Sequence, residues 1–514
     1  MSELSLNSAD FIVIGGGSAG CAVAAGLANK QEGSVLLLEA GPSHKSPFVS
    51  IPFGLVKLMG SKRRDWRYKT SPQSNLQGRQ LGVPRGKMLG GSGSINSMVW
   101  FRGCHKDFDD WEVEGWAWSD VEPAFQEIEA RFQPTKLASA HGLVKSLGQI
   151  FKANDPQAVV SPEYESAGVF EYNLHKGRRR SPADVFLNNK PENLHVLTGV
   201  EVDHLVVDKS IARQVKLIDG KLLTARKGII LSAGSIGSPA ILMRSGVGAS
   251  KDLLNLGIDV QFDAPEVGEN LHDHPSVGLY FKGKDSTTAS GYGVTWQQAF
   301  AWALAPLKYA LQKNGRWASP TVEGGSFFNA RGLSEEPDIQ SHFIPFKMST
   351  SGSKFSLGSG YFADVCLCRP KSRGQLKLVS KDPKMAPRID LGLFSDQSDM
   401  DTLVAGLKRL RSLLKLADFG DTRGTEMLPG ENVNSDEDLE AYIKSRVGTA
   451  YHPVGTLRMG QGSAPVSPRL KVKGVERLWV ADASVMPKIT SANTNAPSIM
   501  IGHRAAGFIT KDAA

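Results

Sequence analysis

The stretch DFIVIGGGSAGCAVAAGLANKQEGSVLLLEAG, residues 10–41, decides the fold of this chain. Its apolar run 11–14 is typical of a strand that is buried on both faces of a parallel sheet. A glycine-rich turn follows, residues 18–29 carry Ala, Val and Leu at helical spacing, and a second apolar run, 34–38, ends in Glu39. The pattern therefore predicts a strand, turn, helix and strand within an α/β fold.

The three glycines of the turn have separate expected roles. Gly15 allows a tight turn, Gly17 allows backbone N–H groups to approach a pyrophosphate, and Gly20 allows the helix to lie close to the strand. Glu39 is placed to accept hydrogen bonds from both hydroxyls of a ribose, which disfavours the 2′-phosphate of NADP. The unit predicts a bound dinucleotide, but it does not distinguish FAD from NAD.

Composition and charge set the broad class of protein. The chain has 514 residues, enough for two or three domains, and its 41% hydrophobic and 22% charged residues are ordinary values for a globular protein. The formal net charge is +8, but the basic clusters 62–64 and 178–180 are short and lack interleaved aromatic residues. They favour a solvated surface, so no nucleic-acid partner is expected.

Cysteine spacing and hydropathy bear on the compartment. The four cysteines, at positions 21, 104, 366 and 368, have no metal-ligand spacing, so no metal is expected and a reducing compartment is favoured. Residues 1–10 lack the features of a signal peptide, and no run approaches the roughly 18 apolar residues of a transmembrane helix. We expect a cytoplasmic protein, and peripheral attachment at the inner face of the membrane stays open.

Three later segments bear on a binding site. The many glycines and serines of 83–103 would let the backbone meet a flat ligand closely, and a flexible surface loop is the alternative. The apolar run 229–231 leads into Ser-Ala-Gly at 232–234, the kind of strand end at which α/β sheets bind ligands. Aromatic residues crowd 281–330, where an aromatic-lined pocket and core or lid packing are equal alternatives.

The C-terminal region carries the polar groups with the clearest chemistry. His452 lies among small residues, and the strand-like run 478–481 is followed by Asp482. Residues 493–495, Asn-Thr-Asn, precede an apolar helix that starts near Pro497. Proline is well tolerated in the first turn of a helix, and the free N–H groups of that turn can face a ligand.

Together these motifs resemble the glucose–methanol–choline (GMC) oxidoreductases, and most closely their choline dehydrogenase-like branch. The resemblance covers nearly the whole chain. It rests on GGGSAG with Glu39, RGKMLGGSGSIN at 85–96, SAGSIGSPAILMRSGVG at 232–248, RPKSRG at 369–374, YHPVGT at 451–456, and ADASVMP and NTNAPSIMI between 481 and 501. The motifs at 85–96 and 232–248 are similar to the family's own signatures and are far more specific than the glycine turn.

The resemblance implies FAD as the cofactor. Val202 would meet the adenine through its backbone, and Asp482 with Ala483 would reach the pyrophosphate or the ribityl chain. Some members attach FAD to a histidine at the position that Ile95 occupies here, so non-covalent FAD is expected. The expected cofactor-binding residues are Gly15, Gly17, Ser18, Ala19, Gly20, Glu39, Ala40, Trp66, Met88, Gly90, Gly91, Ser92, Asn96, Met98, Val99, Val202, Ala233, Gly234, Tyr451, Asp482, Ala483, Asn493, Thr494 and Asn495.

The resemblance also implies catalytic residues. His452 would accept the hydroxyl proton of an alcohol as hydride leaves its carbon, which agrees with the pKa of about 6.5 of an unperturbed imidazole. Asn495 would be its partner and would hydrogen-bond the substrate oxygen without acting as a second base. Glu323, Tyr451 and His452 are expected to contact the substrate. The glutamate is common in the family, so it does not identify choline.

The expected fold is α/β plus α+β, a Rossmann-like FAD-binding domain with an inserted antiparallel-sheet substrate domain. The alternation in 361–392 predicts antiparallel strands, and 398–416 and 435–447 predict amphipathic helices. The expected boundaries are 1–155, 190–280 and 450–514 for the FAD-binding domain, and 156–189 and 281–449 for the substrate domain.

The expected activity is FAD-dependent oxidation of a primary alcohol to an aldehyde. Two alternatives stay open because a fold does not fix a function. One is a lyase of the same fold, similar to hydroxynitrile lyases, and the other is an NAD-dependent enzyme that uses the same glycine turn. The sequence also leaves open which alcohol is oxidised, whether the electron acceptor is oxygen, a quinone or another compound, and the oligomeric state.

Overall fold

The computed structural model describes residues 7–30, 33–137, 139–151, 159–283, 291–333, 336–350, 355–417, 419–420 and 423–513. The strands, numbered β1 to β24, are Ser8–Ile14, Val35–Glu39, Tyr68–Lys69, Gly82–Val83, Thr135–Lys136, Ser166–Val169, Glu171–Tyr172, Leu174–His175, Arg178–Arg179, Leu194–Thr198, Val202–Asp208, Ile211–Leu217, Leu222–Leu231, Val247–Gly248, Phe262–Asp263, Pro275–Lys282, Gly324–Phe328, Ile339–Ile344, Gly360–Leu367, Gln375–Lys377, Arg388–Asp390, Thr425–Leu428, Gly448–Thr449 and Leu478–Val480. The helices, α1 to α13, are Ser18–Asn29, Pro47–Ser50, Leu55–Leu58, His105–Asp109, Trp118–Phe132, Gly142–Ser146, Pro182–Leu187, Gly234–Arg244, Ser250–Asn255, Ala299–Gln312, Gln397–Leu416, Asp436–Arg446 and Asn495–Ala513.

The first sheet has the order β10-β2-β1-β13-β12-β11, and β24 pairs with the C-terminal part of β13. Strands β10, β2, β1, β13 and β24 run parallel, whereas β12 and β11 are added antiparallel. Strand β2 is buried along its whole length, as its continuous apolar run requires in a covered parallel sheet. The predicted order of strand, helix and strand in 10–41 is confirmed by β1, α1 and β2.

Three distant parts of the chain end side by side in this sheet. Ile14 pairs with Leu231 and Leu231 pairs with Val480, so β1, β13 and β24 share one carboxyl edge. The chain then leaves each strand through small residues, which keep the edge open. This is the edge at which a parallel α/β sheet binds its ligand.

The second sheet is antiparallel and has the order β22-β16-β19-β18-β17-β6, with β23 paired to β16. The predicted fold class, a Rossmann-like sheet with a second antiparallel sheet, is confirmed. One predicted domain boundary needs correction, because β16 crosses position 280 and pairs entirely within the second sheet. The predicted boundary between 155 and 156 lies outside the described residues.

Helices were predicted correctly where the sequence has a clear helical spacing of apolar residues, and were missed where it does not. The helices predicted at 398–416 and 435–447 are α11 and α12. Strand β13 ends at Leu231, where the sequence predicted a strand end, and it is followed by α8, which was not predicted. Its glycines, serines and Pro239 obscure the helical pattern. No described helix is long and apolar enough to cross a bilayer.

Candidate active site

A cavity of about 1860 Å³ is lined by both sheets. One half lies against the carboxyl edge of the first sheet and the loop 91–99. The other half is lined by Ser276 and Tyr280 of β16, by strands β18 and β19, and by the loop 446–453. A ligand that occupied both halves would therefore meet the small residues of the first sheet at one end and polar side chains of the second sheet at the other.

The first half of the cavity fits a ligand that carries a pyrophosphate. Gly15 has a φ of +99°, and a Cβ on it would lie only 2.5 Å from the carbonyl oxygen of Ser232. The amino ends of α1 and α13 meet here, because Ser18 Oγ donates to Asn495 Oδ1 at 2.8 Å. Asn495 Nδ2 is buried and has no hydrogen-bond partner among the described residues. Two helix amino ends and an unpaired donor suit the phosphates of FAD.

Glu39 ends β2 and faces the same half of the cavity. Its Oε2 accepts the N–H of Gly16 at 2.9 Å, and its Oε1 accepts the N–H of Gly41 at 2.8 Å. Burial raises the pKa of Glu39, and these two hydrogen bonds oppose the rise. Each oxygen keeps a lone pair, so the carboxylate can also accept from a ribose hydroxyl.

Most of the residues predicted to bind the cofactor line the cavity: Gly15, Gly17, Ser18, Ala19, Glu39, Ala40, Trp66, Gly91, Ser92, Asn96, Met98, Val99, Val202, Ala233, Gly234, Tyr451, Asp482, Ala483, Asn493, Thr494 and Asn495. Gly20, Met88 and Gly90 are not among the lining residues, so a direct contact of these three with the cofactor stays a prediction. Gly20 packs α1 on Gly15, since a Cβ there would lie 1.9 Å from the Gly15 carbonyl oxygen. Met88 is fully buried beside Ile95, and Gly90 N–H donates to Gly16 O at 2.6 Å.

His452 is held in place by a neighbouring segment of the chain, 270–275. Ala450 N–H donates to the carbonyl oxygen of His274 at 2.9 Å, which pairs the two segments. Asp273 Oδ1 accepts the backbone N–H of both His452 and His274, each at 2.8 Å. The pairing places the two imidazoles in contact, with their Nδ1 atoms 3.1 Å apart.

The hydrogen bonds determine which nitrogen of His452 carries the proton. His274 Nε2 lies 3.0 Å from the carbonyl oxygen of Thr490, which can only accept, so this nitrogen is protonated. Burial lowers the pKa of His274 to about 3 and the pKa of His452 well below its ordinary value, so both rings are neutral. His274 Nδ1 then accepts from His452 Nδ1–H, and the lone pair of His452 is on Nε2.

Asn493 is the amide beside His452, which corrects the prediction that Asn495 is the partner. Asn493 Nδ2 lies 3.2 Å from His452 Nε2, and its Oδ1 accepts from Gln340 Nε2 at 3.1 Å. The hydrogen bond from Gln340 turns the NH₂ group of Asn493 toward the imidazole. Asn495 is the first residue of α13, so its side chain faces Ser18 instead.

A second histidine in the cavity was missed in the sequence. His342 Nδ1 lies 3.1 Å from both carboxylate oxygens of Asp364, and Ser276 Oγ donates to Asp364 Oδ2 at 2.7 Å. Burial, the largest single cause, would lower the pKa of His342, but the negative charge of Asp364 and the hydrogen bonds to Asp364 and Asn493 together outweigh burial and raise it. The two residues lie on neighbouring strands with no shared motif. His274, by contrast, belongs to the run His-Asp-His at 272–274, a visible signal that went unused.

The structure separates the three residues predicted to contact the substrate. His452 and Tyr451 line the cavity, and the carbonyl oxygen of Tyr451 accepts from the Arg85 guanidinium. Glu323 is fully buried and is not among the residues that line the cavity, so its contact with the substrate stays a prediction. Its Oε2 accepts the N–H of His141 at 2.7 Å, and burial raises the pKa of Glu323 to about 7.

The aromatic segment 281–330 supplies no ring to the cavity among its described residues, of which Thr321 and Val322 line the wall. Phe327 and Phe328 are fully buried in β17. The segment is therefore divided: some of its rings pack in the core, Trp296 and Phe300 are exposed to solvent, and Tyr309 and Trp317 line a second, smaller depression.

Comparison with known proteins agrees with this geometry. Residues 9–276 and 370–502 match the two family models described as GMC oxidoreductase. The chain is 34% identical to the alcohol dehydrogenase [acceptor] of Pseudomonas putida, over 98% of this chain and 96% of that one. It is 36% identical to the oxygen-dependent choline dehydrogenase of Sinorhizobium medicae, over 98% and 95% of the two chains.

Solved structures of similar fold extend the comparison. Pyridoxine 4-oxidase from Mesorbium loti superposes with a TM-score of 0.84 at 26% identity, over 97% of this chain and 98% of that one. A variant of the formate oxidase of Aspergillus oryzae, studied for its FAD modification, superposes with a TM-score of 0.88 at 26% identity over 99% of both chains. The chain thus belongs to the GMC oxidoreductase family and is an FAD-dependent oxidoreductase that acts on CH–OH donors.

Proposed function

We propose that the protein oxidises an uncharged primary alcohol to the aldehyde, with His452 Nε2 as the base that accepts the hydroxyl proton. The observation that carries this proposal is the hydrogen-bond chain from Thr490 through His274 to His452. It supports an imidazole whose Nδ1 holds its proton and whose Nε2 is free to act as a base. FAD, when bound, supplies the acceptor for the hydride that leaves the alcohol carbon.

Two further side chains support proton removal at this position. Asn493 Nδ2 can donate to the oxygen of the alcohol, because Gln340 keeps the NH₂ group turned toward the imidazole. The positive charge that Asp364 favours on His342 would stabilise negative charge on the same oxygen. We also propose that FAD is held non-covalently, since position 95 is an isoleucine in the cavity wall and offers no nucleophile.

The lining of the cavity supports an uncharged substrate. Its described carboxylates are Glu39, Asp65, Glu201, Asp364 and Asp482. Each already accepts hydrogen bonds: Glu201 from Lys87, Asp65 from the N–H groups of Arg67 and Arg85, Asp482 from Ser238 and Ser484, and Glu39 and Asp364 as described above. The lining of the cavity also includes the apolar residues Leu55, Met59, Ile344, Met348, Phe355 and Phe362. A quaternary ammonium group such as that of choline would find no carboxylate among these residues that does not already accept a hydrogen bond.

A pair of molecules of the same shape tests the substrate class. Choline and 3,3-dimethylbutan-1-ol differ in one atom, the quaternary nitrogen or carbon, and therefore in charge. In an anaerobic titration of the holoenzyme we expect the uncharged alcohol to bleach the flavin absorbance at least about tenfold more efficiently, a difference of about 1.4 kcal/mol. A preference for choline would contradict the uncharged substrate but not alcohol oxidation.

Substitution of His452 tests the base. We expect His452→Ala to slow flavin reduction by about 10² to 10⁴, the usual contribution of a general base, while FAD stays bound. His503→Ala is the matched control. His503 lies on α13 and pairs with Glu127 of α5, so this variant should reduce its flavin at the parent rate. Parent-like reduction by His452→Ala would contradict the proposal. A flavin that no alcohol bleaches would favour a lyase.

A further inference from the structure

Helix α10 is almost wholly apolar. Its sequence, AFAWALAPLKYALQ, contains one charged residue, Lys308. One face packs on the protein, where Trp302 Nε1 donates to Gly293 O at 2.9 Å and Tyr309 Oη donates to Gly177 O at 3.0 Å. A surface helix ordinarily turns a polar face to water, and α10 has none to turn.

The opposite face of α10 exposes a continuous apolar stripe. Trp296, in the turn that precedes the helix, is 84% exposed, and the stripe continues through Phe300 (74%), Leu304 (42%), Leu307 (56%) and Leu311 (75%). The intervals of four, four, three and four residues keep these side chains on one side of the helix. Single exposed apolar residues are ordinary, but a contiguous row of this kind marks an interaction surface.

Neighbouring segments widen the stripe into a patch. Val294 is 37% exposed and forms a bridge with Gly358, which places the 76% exposed Leu357 beside the start of the stripe. On the inner side, the Phe53 ring packs on Trp302 with ring centroids 5.5 Å apart. Val56, three residues further along the chain, is 40% exposed. The apolar surface therefore extends from α10 to the segment around Val56.

The charges around α10 are positive. No aspartate or glutamate occurs between residues 286 and 322 of the sequence, whereas Lys308, Lys313 and Arg316 do. Lys45, Arg178 and Lys313 line a small depression beside the helix, and its one carboxylate, that of Asp184, pairs with His44. A second copy of the chain would bring the same positive charges face to face. Anionic lipid headgroups would instead complement them.

The patch adjoins the mouth of the active-site cavity. Val56 is exposed and also lines the cavity, and Phe355, another lining residue, lies 6.0 Å from Phe53 between ring centroids. An apolar alcohol concentrates in a bilayer rather than in water. A membrane that covered α10 would therefore lie next to the opening through which such an alcohol reaches His452.

We infer that the protein docks on the surface of an anionic phospholipid bilayer through the apolar stripe of α10. Trp296 and Phe300 would enter the interfacial layer, where amphipathic aromatic rings are favoured, and Lys308 and Lys313 would meet the headgroups. The helix lies in the membrane plane and does not span it. This inference goes beyond the proposed oxidation: the exposure and charge of α10 carry it, and the alcohol substrate proposed above adds support.

Vesicle flotation of the intact holoenzyme tests the inference. We expect the protein to float with vesicles of equal parts phosphatidylcholine and phosphatidylglycerol, to float much less with phosphatidylcholine alone, and to be released by high salt. The double variant Phe300→Ser/Leu307→Gln should bind at least about tenfold more weakly, and Lys308→Glu should weaken binding to the anionic vesicles. Because all three side chains are exposed, these variants should keep the parent's flavin content and melting temperature.

The matched control is Leu254→Gln/Leu416→Gln. These two leucines are each 64% exposed, on α9 and at the end of α11, and lie outside the patch. The control should float like the parent. Absence of flotation of the parent with anionic vesicles, or equal flotation of the two double variants, would overturn the inference. A parent that sediments as a dimer, ignores vesicles and becomes monomeric on Phe300→Ser/Leu307→Gln would identify a second copy as the occupant instead.

Discussion

The imidazole of His452 depends on its neighbours for its orientation and its protonation. His274 fixes the proton on Nδ1, Asp273 fixes the backbone, and Asn493 faces Nε2. None of these partners is adjacent to His452 in the sequence, so each can be altered while the base itself remains. The two asparagines of the site, Asn493 and Asn495, have different partners, so their roles can be tested separately.

The variants Asn493→Ala and Asn495→Ala should fail in different ways. Asn493→Ala removes the donor beside His452 Nε2, so we expect flavin reduction by alcohol to slow by tenfold or more with FAD still bound. Asn495→Ala removes the acceptor of Ser18 at the meeting point of α1 and α13, so we expect weaker FAD binding and little change in reduction once FAD is saturating. Stopped-flow reduction and FAD titration separate the two effects. The reverse pattern would restore Asn495 as the partner of His452.

Glu323 should make stability depend on pH. Burial raises its folded pKa to about 7, so the folded state binds the proton more tightly than the unfolded state, whose pKa is about 4.3. Glu323 on its own therefore lowers the stability of the protein as pH rises between these values, by about 4 kcal/mol in total. We expect Glu323→Gln to match the parent at pH 4.5 and to be more stable at pH 8. The exposed Glu431→Gln is the control, and urea unfolding at both pH values is the measurement.

At the scale of single residues, sequence reasoning found groups that belong to compact motifs. Glu39 and His452 each sit in a recognisable motif, and both line the cavity. Asn493 and Asn495 share one motif, and only the start of α13 decides which amide faces the imidazole. His342 and Asp364 meet across two strands of the second sheet, so their contact depends on register, which no local pattern encodes.

Among the elements, α1 and α13 form the closest helix pair at the cofactor site. Gly502 of α13 packs on α1, and a Cβ on it would lie 2.3 Å from the carbonyl oxygen of Ala19. Gly507 lies on the same helix, where the nearest atom to such a Cβ is Lys30 Nζ at 3.9 Å. Alanine at position 502 would push the two helices apart, whereas alanine at position 507 would not. Comparing the two variants therefore separates the effect of helix contact from the general effect of alanine in a helix.

We expect Gly502→Ala to lower the free energy of unfolding by about 2 kcal/mol and to weaken FAD binding, because a backbone atom must move. Gly507→Ala should be neutral or stabilise by up to about 1 kcal/mol, since alanine is the better helix former. Urea unfolding and FAD titration of the two variants provide the comparison. Equal behaviour of the two would show that the α1–α13 contact does not position the site.

Elements with local signals were predictable, and those that depend on distant pairing were not. The strand, turn and helix of 10–41 and the helices α11 and α12 follow from periodicity within each segment. The first residues of β16, up to position 280, were placed in the FAD-binding domain, because only the partners β19 and β22 show that this strand belongs to the second sheet. The apolar face of α10 was visible as an excess of aromatic residues, but whether that face is covered is a property of the folded chain.

For the molecule as a whole, FAD should act as part of the folded structure. The cavity in which FAD is expected takes residues from β1, β2, the loop 91–99, the turns that follow β13 and β24, and α13, so bound FAD would tie together distant segments of the chain. We expect removal of FAD to lower the melting temperature, and added FAD at a hundredfold excess over its Kd to stabilise the protein by about 2.7 kcal/mol. Calorimetry at several FAD concentrations is the measurement. A melting temperature that does not change with FAD would contradict this coupling.

The hydrogen bond between Ser18 and Asn495 joins positions 477 residues apart in the chain. A ribosome makes α1 early and the first turn of α13 near the end of the described chain. During most of synthesis, the nucleotide-binding turn is present without the helix that completes it. A nascent chain stalled before residue 493 should therefore retain no FAD. We expect FAD to bind only after α13 has been synthesised.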